Sequence, residues 1–170
     1  VLLIFDEIPS ALGRTGKMFV CEHFDVEPDM LVIGKGLGGG VFPMAALLAN
    51  DNLDIVEDKA LGHYTHEKSS VGCAAALATI DCLIEDGLLN NAVTLGNLGL
   101  EQLEGLKLKY PIIHEVRGLG LFYGIDLKLN NQPATDQADA ILYHSLSNGL
   151  SYKVGGGSIL TLCPPLTINN

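Results

Sequence analysis

Two residues of opposite charge, Asp6 and Lys35, each stand where an apolar stretch of the chain ends. Residues 1–5 (Val-Leu-Leu-Ile-Phe) run into Asp6, and residues 30–34 (Met-Leu-Val-Ile-Gly) run into Lys35. Continuous apolar runs of this length predict strands buried on both faces, as in a parallel sheet covered by helices. Ligands bind beyond the carboxyl ends of the strands in such sheets, so we expect both side chains to face a bound molecule.

The chemistry of this pair points to an aldehyde cofactor. A lysine amine in a partly dry pocket loses its proton and forms a Schiff base with an aldehyde. Pyridoxal phosphate is the cofactor that most often uses such a lysine, and an acid beside its pyridine nitrogen keeps that nitrogen protonated. Lys35 and Asp6 suit these two roles. As a bare pair they are equally consistent with a partly buried structural ion pair.

The rest of the first half supplies the elements that must position this pair. Residues 8–18 are rich in turn-forming residues and predict an irregular loop. A further strand is predicted after Pro43. Ser69 or Ser70 is expected to cap a helix whose apolar residues recur every three or four positions and which ends at Gly87.

The pattern of predicted secondary structure changes near Gly87. A second helix is predicted from Leu89 to about Lys107, because apolar or small residues recur there at alternating spacings of four and three. Short strands and one helix are predicted after it: strands at 112–116, 119–125 and 159–162, and the helix at 136–147. We therefore predict an α/β portion at residues 1–87 and an α+β portion at residues 88–170.

Composition narrows the class of protein. Hydrophobic residues make up 48% and charged residues 18% of the chain, as in a well-packed globular protein. Ten Lys and Arg against twenty Asp and Glu give a net charge of −10, which argues against binding nucleic acid or anionic membranes. No apolar run approaches the roughly 20 residues that span a bilayer. The four cysteines lack metal-ligand spacing and His23, His63 and His66 form no ligand set, so we predict no metal site and a reduced, cytoplasmic chain.

Several short motifs surround the pair and continue along the chain. They are Asp6-Glu7-Ile8, Gly13-Arg14-Thr15-Gly16-Lys17, Glu27-Pro28-Asp29-Met30, Gly34-Lys35-Gly36-Leu37-Gly38, Val116-Arg117-Gly118-Leu119-Gly120 and Pro164-Pro165-Leu166. In this order and spacing they resemble the class III, or omega-, aminotransferases, which are pyridoxal-phosphate enzymes. The resemblance implies an α/β fold: the end of an aspartate-aminotransferase-like large domain at 1–87, followed by a small, incomplete α+β domain at 88–170. It also implies that the chain is the later part of a longer subunit.

Carried over by position, the resemblance implies a role for four residues. Lys35 would be the Schiff-base lysine, and Asp6, 29 residues earlier, the partner of the pyridine nitrogen. Ile8 matches an aliphatic residue that packs under the cofactor ring. Thr65, 30 residues after Lys35 in a polar loop, matches a threonine that reaches across a homodimer to the phosphate of the partner subunit's cofactor. The implied reaction is amino-group transfer between an amine or omega-amino acid and a keto acid.

Two departures from the family pattern keep alternatives open. Pro9 stands where the family commonly has a glutamine that binds the cofactor's phenolic oxygen, and Thr161 stands where many members have an arginine that clamps a substrate carboxylate. The second departure favours an ammonia-lyase or phospho-lyase of the same family as an alternative. A third hypothesis is that this chain is inactive alone, because the family's phosphate loop and ring-stacking aromatic residue lie upstream of Val1.

Other conspicuous residues are assigned structural roles. Glu7 adjoins Asp6, but neighbouring strand residues point to opposite faces, so we expect no shared acid–base site. Arg14 and Arg117 are predicted to form structural ion pairs. The triple glycine at 155–157 is predicted to be a hairpin turn.

Overall fold

The computed structural model describes residues 1–56, 59, 62 and 64–169, and these fall into two units. The first unit comprises Val1–Gly13 and Lys17–Leu88, and the second comprises Arg14–Gly16 together with the chain from Leu89 onwards. No helix among the described residues is long and apolar enough to cross a membrane.

A three-stranded sheet forms the centre of the first unit. Its strands are β1 (Ile4–Asp6), β2 (Met30–Ile33) and β3 (Ala46–Ala49), in the order β1-β2-β3. The two strands that end near Asp6 and Lys35 pair in parallel, as predicted. The strand predicted after Pro43 is β3, and it pairs antiparallel to β2, an orientation that the sequence did not indicate. The 8–18 segment is a series of turns, as predicted.

The burial of these strands differs from the prediction. In β2, Leu31 and Ile33 are each only 6% exposed, because β2 has a strand on both sides. In β1, however, Ile4 is 55% exposed, and in β3 Leu47 is 59% exposed. These exposures contradict the prediction that β1 is buried on both faces, as far as the described residues go.

Helix α1 (Ser70–Glu85) follows the cap that its sequence predicts. The Ser69 hydroxyl accepts a hydrogen bond from the Gly72 backbone N–H at 3.3 Å, and Gly87 lies just beyond the helix end with a φ of +65°. The helix contacts the short 3₁₀ turn Lys35–Gly38, which carries the candidate lysine.

The second unit is an antiparallel sheet with two helices. The helices are α2 (Leu88–Lys109) and α3 (Thr135–Ser147); the strands are β4 (Ile113–Leu119), β5 (Phe122–Leu129), β6 (Gln132–Pro133), β7 (Lys153–Gly155) and β8 (Ile159–Leu162). The sheet order is β4-β5-β8-β7, and β6 pairs with β5. A turn at the triple glycine joins β7 to β8, as predicted. β6 and β7 were not predicted, since they are too short to show a pattern of alternation.

Alternation along β5 explains how this unit packs. Tyr123, Ile125 and Leu127 are buried, while the residues between them are half-buried on the other face. The buried side chains pack against Ala134 and Ala138 at the start of α3 and against leucines of α2. The opposite face of the sheet carries Gly124 and Thr161 together with the apolar residues Phe122 and Ile159.

Candidate active site

The parallel pairing of β1 and β2 places the two candidate catalytic residues at one edge of the sheet. Asp6 is the last residue of β1 and lies opposite Val32. Lys35 follows three residues after Val32 and begins the 3₁₀ turn. Because parallel strands have their carboxyl ends on the same side, both side chains belong to this edge.

Ile8 links these two ends. Its backbone N–H donates a hydrogen bond to Asp6 Oδ1 at 3.1 Å. Its Cγ2 lies 3.6 Å from the position that a Cβ on Gly34 would take, directly before Lys35 in the chain. The structure therefore brings Asp6, Ile8 and the backbone that leads into Lys35 together.

Lys35 has an unusual backbone conformation. Its φ is +47°, in the left-handed region that residues with a Cβ seldom adopt. The turn that holds it is closed by hydrogen bonds from Leu37 N to Gly34 O at 3.1 Å and from Gly39 N to Gly36 O at 2.9 Å. Such imposed conformations cluster at functional sites, and here the strain falls on the candidate lysine.

Asp6 and Lys35 do not form the structural ion pair that was the alternative explanation of their charges. Both side chains are exposed, and their charged atoms are more than 4.0 Å apart. Within the described part of the chain, the Lys35 amine has no hydrogen-bond or ion-pair partner. Both groups are thus available to a bound molecule.

A cavity of about 330 Å³ lies against Asp6. Its walls also include Phe5, Ser10 and Phe24, and Lys35 does not line it. An aromatic side chain and a carboxylate in one concave surface suit a flat ligand that carries a positive charge.

Glu7 occupies a different environment from Asp6, although the two are adjacent. It is only 3% exposed, whereas Asp6 is exposed. Both residues line the cavity of about 330 Å³, so the absence of a shared acid–base site stays a prediction. The Glu7 carboxylate accepts hydrogen bonds from Val20 N at 2.6 Å and from Cys21 N at 2.8 Å. Burial, and then the negative charge and hydrogen bond of Glu7, raise the pKa of the Cys21 thiol.

Thr65 is not grouped with Asp6 and Lys35 in this chain. It lies in an exposed turn just before α1. Residues 64–70 line a shallow cavity of about 420 Å³ there, and neither Asp6 nor Lys35 contributes to it. Its predicted role at a partner subunit's cofactor stays a prediction.

Thr161, where many family members have an arginine, lies on the sheet face of the second unit that is opposite the buried side chains of β5. Arg117, Gly124 and Thr161 are directly opposite one another on β4, β5 and β8. Gly124 has no side chain to fill the space between Arg117 and Thr161. These three residues help to line a cavity of about 530 Å³. Arg117 forms an ion pair with Glu115 at 3.1 Å, as predicted.

Arg14 does not behave as predicted. Its guanidinium donates to the backbone carbonyls of Leu121, at 3.3 Å, and Pro164, and it forms no ion pair within 4.0 Å with any described carboxylate. Burial lowers the pKa of Arg14, with the nearby Cys163 acting in the opposite direction. The sequence does not predict these hydrogen bonds of Arg14, because every residue has a backbone carbonyl that could accept them.

No cluster of three or more His, Cys, Asp or Glu residues in the described part of the chain could hold a metal ion. His23 and His66 lie within this part, and His63 lies outside the described residues.

Comparisons with known proteins agree on one family. Over residues 1–170 the sequence matches the family described as aminotransferase class-III. A Vibrio splendidus (strain 12B01) protein named (R)-1-hydroxy-2-aminoethylphosphonate ammonia-lyase is 45% identical over 99% of this chain and 36% of its own length. Ornithine aminotransferase 1 of Staphylococcus saprophyticus is 39% identical over 99% of this chain and 41% of its own length. The crystal structure of acetylornithine aminotransferase from Elizabethkingia anophelis aligns with a TM-score of 0.90 at 38% identity, over 99% of this chain and 42% of its own.

The chain therefore spans less than half the length of these relatives. The structural alignment confirms the predicted fold class, that of pyridoxal-phosphate-dependent transferases of fold type I.

Proposed function

We propose that this chain, which belongs to the class III aminotransferases, supplies the lysine and the aspartate with which these pyridoxal 5′-phosphate enzymes hold and activate their cofactor. The observation that carries the proposal is the common sheet edge, where the Asp6 carboxylate and the Lys35 amine are both exposed and neither forms an ion pair among the described residues.

The residues present fit the cofactor. Lys35 Nζ would hold its aldehyde carbon, and the Asp6 carboxylate would keep a proton on its ring nitrogen. Ile8, half-buried between Asp6 and Gly34, offers an apolar surface to one face of the ring. When bound, the cofactor supplies an electron sink for the substrate carbon. Lys35 Nζ, once released by the incoming amine, would take the proton from that carbon as the general base.

The reaction that we propose is transfer of an amino group between an amine or omega-amino acid and a keto acid. The aminotransferases among the relatives support it. The test is a visible absorption spectrum with pyridoxal 5′-phosphate, followed by borohydride reduction and peptide mapping. The reduced adduct is expected at Lys35 and absent from Lys35→Ala, with Lys17→Ala as a matched exposed-lysine control. An adduct that forms equally in Lys35→Ala would disprove the assignment.

A second candidate reaction is ammonia elimination from an aminoalkylphosphonate. It is favoured by the similarity to the Vibrio ammonia-lyase and by Thr161, which stands where the family resemblance expects a carboxylate-clamping arginine. Keto-acid dependence separates the two reactions. An aminotransferase stops after one turnover without a keto acid, whereas a lyase continues to release ammonia.

The same family membership leads us to propose the organisation of the whole protein. Residues 1–87 would end the cofactor-binding large domain, and residues 88–170 would belong to the small domain. We further propose a cytoplasmic homodimer in which Thr65 contacts the cofactor phosphate held by the partner subunit. Light scattering tests the dimer, and a Thr65→Ala variant with weakened cofactor binding but unchanged mass would support the shared site.

A further inference from the structure

The Glu7 carboxylate closes a loop that starts directly after Asp6. Its two oxygens accept hydrogen bonds from the N–H groups of Val20 and Cys21, at 2.6 and 2.8 Å. These N–H groups begin the 3₁₀ turn Val20–His23, whose N-cap residue, Phe19, provides no side-chain hydrogen bond. A carboxylate from 13 residues earlier therefore satisfies donors that would otherwise be left without a partner.

The Glu7 backbone is fixed as firmly as its side chain. Its N–H donates to Val32 O on β2 at 2.9 Å, and its carbonyl accepts from Ser10 N at 3.1 Å and Ala11 N at 2.9 Å. One residue thus joins the end of β1, the neighbouring strand, the following turn and the 3₁₀ turn.

Asp6 is linked to this arrangement at two points. It shares a peptide group with Glu7, and its Oδ1 accepts a hydrogen bond from Ile8 N, on the far side of Glu7. We propose that Glu7 is a positioning residue: by holding the loop against the end of β1, its buried carboxylate keeps the Asp6 carboxylate directed out of the sheet edge. The claim that Asp6 faces a protonated ring nitrogen rests on the proposed function. The claim that Glu7 positions Asp6 does not.

A direct role for Glu7 in proton transfer does not fit its surroundings. The residue is 3% exposed, and each carboxylate oxygen already accepts a backbone hydrogen bond. The competing explanation is that Glu7 stabilises the unit as a whole without affecting Asp6, and the experiment must separate these two.

The first measurement uses the chain without cofactor. Glu7→Gln keeps the shape and removes the charge, and Glu22→Gln is the matched control, since exposed Glu22 also accepts a backbone hydrogen bond, from Phe19 N at 2.7 Å. Amide hydrogen exchange at Ile8, read by NMR, is expected to be about tenfold faster in Glu7→Gln and unchanged in Glu22→Gln. Faster exchange at Val20 and Cys21 with an unchanged Ile8 would overturn the positioning role.

The second measurement is a double-mutant cycle on the dissociation constant of pyridoxal 5′-phosphate. Glu7→Gln is expected to raise this constant about tenfold when Asp6 is present and to leave it unchanged in an Asp6→Asn background. An equal effect in both backgrounds would mean that Glu7 does not act through Asp6. If the unmodified chain gave no adduct at Lys35, the proposed function would fail, and the Ile8 exchange rate would still decide the role of Glu7.

Discussion

Gly96 on α2 allows this helix to lie very close to the backbone of Gly120. A Cβ placed on Gly96 would lie 2.5 Å from both the carbonyl carbon and the oxygen of Gly120. Gly120, with a φ of +56°, is in the turn between β4 and β5, and a Cβ there would lie 2.6 Å from the Thr15 carbonyl carbon. The Gly96→Ala substitution therefore forces backbone to move, because neither neighbour has a flexible side chain at the contact.

Gly105 provides a control on the same helix. It is exposed, and a Cβ there would meet nothing within 4 Å. Alanine is preferred to glycine inside helices by about 1 kcal/mol, so Gly105→Ala is expected to raise the free energy of unfolding by up to that amount. At Gly96 the same gain is opposed by an overpacking penalty of about 3 kcal/mol, which leaves a net loss of about 2 kcal/mol.

Urea denaturation followed by circular dichroism measures both variants. The two free energies of unfolding are expected to differ by about 3 kcal/mol, which corresponds to roughly 6–12 °C in melting temperature for a chain of this size. A Gly96→Ala chain as stable as Gly105→Ala would refute the reasoning, since it would show that α2 and the Gly120 turn separate without cost.

Three further predictions concern single side chains. Thr161→Arg adds a second guanidinium beside Arg117 on the sheet face. Calorimetry is therefore expected to show that this variant binds a small dicarboxylate about tenfold more tightly than Thr161→Ser does. Equal affinities of the two variants would contradict this prediction. Because burial raises the pKa of the Cys21 thiol, the folded chain keeps a proton that the unfolded chain loses above its ordinary pKa of 9.0. The urea midpoint should therefore fall as pH rises from that value towards the raised folded one, and less so in Cys21→Ala. Lys35→Gly is expected to be about 1 kcal/mol more stable to urea than Lys35→Ala, because the φ of +47° disfavours any Cβ; equal stability would show that the backbone relaxes.

The relation between Asp6 and Lys35 was predictable because it depends on pattern and topology. Two apolar runs of strand length, each ending in one charge, predict two buried strands, and parallel pairing then puts both charges at one edge. The helix cap at Ser69 was predictable for a similar reason: it depends on residue type at a position fixed by the apolar period.

The details that complete the site depend on contacts distant in sequence. Glutamate is a residue normally found at the surface, and nothing beside Glu7 in the sequence indicates that two backbone N–H groups 13 and 14 residues later will receive its carboxylate. The same holds for Arg14, whose partners are carbonyls more than 100 residues away. Backbone donors and acceptors are identical at every residue, so a sequence does not reveal which of them a buried charge will use.

The apolar pattern also predicted more burial than β1 has. It correctly indicates a strand, but Ile4 is 55% exposed in the described chain. Residue type reports the environment to which a strand is suited, whereas burial depends on which neighbours pack against it.

Two energetically unfavourable features of the first unit lie at the proposed site. Lys35 adopts a left-handed conformation that costs about 1–2 kcal/mol for a residue with a Cβ. Glu7, one residue from Asp6, places a carboxylate at 3% exposure, which requires both of its hydrogen bonds to offset the loss of water. A glycine at position 35 would avoid the first cost, so stability alone does not account for Lys35. An apolar residue at position 7 would instead leave the Val20 and Cys21 N–H groups without their acceptor, so Glu7 contributes to stability as well. The conformation of Lys35 is accounted for if its amine must be held in a fixed direction at the edge of the sheet.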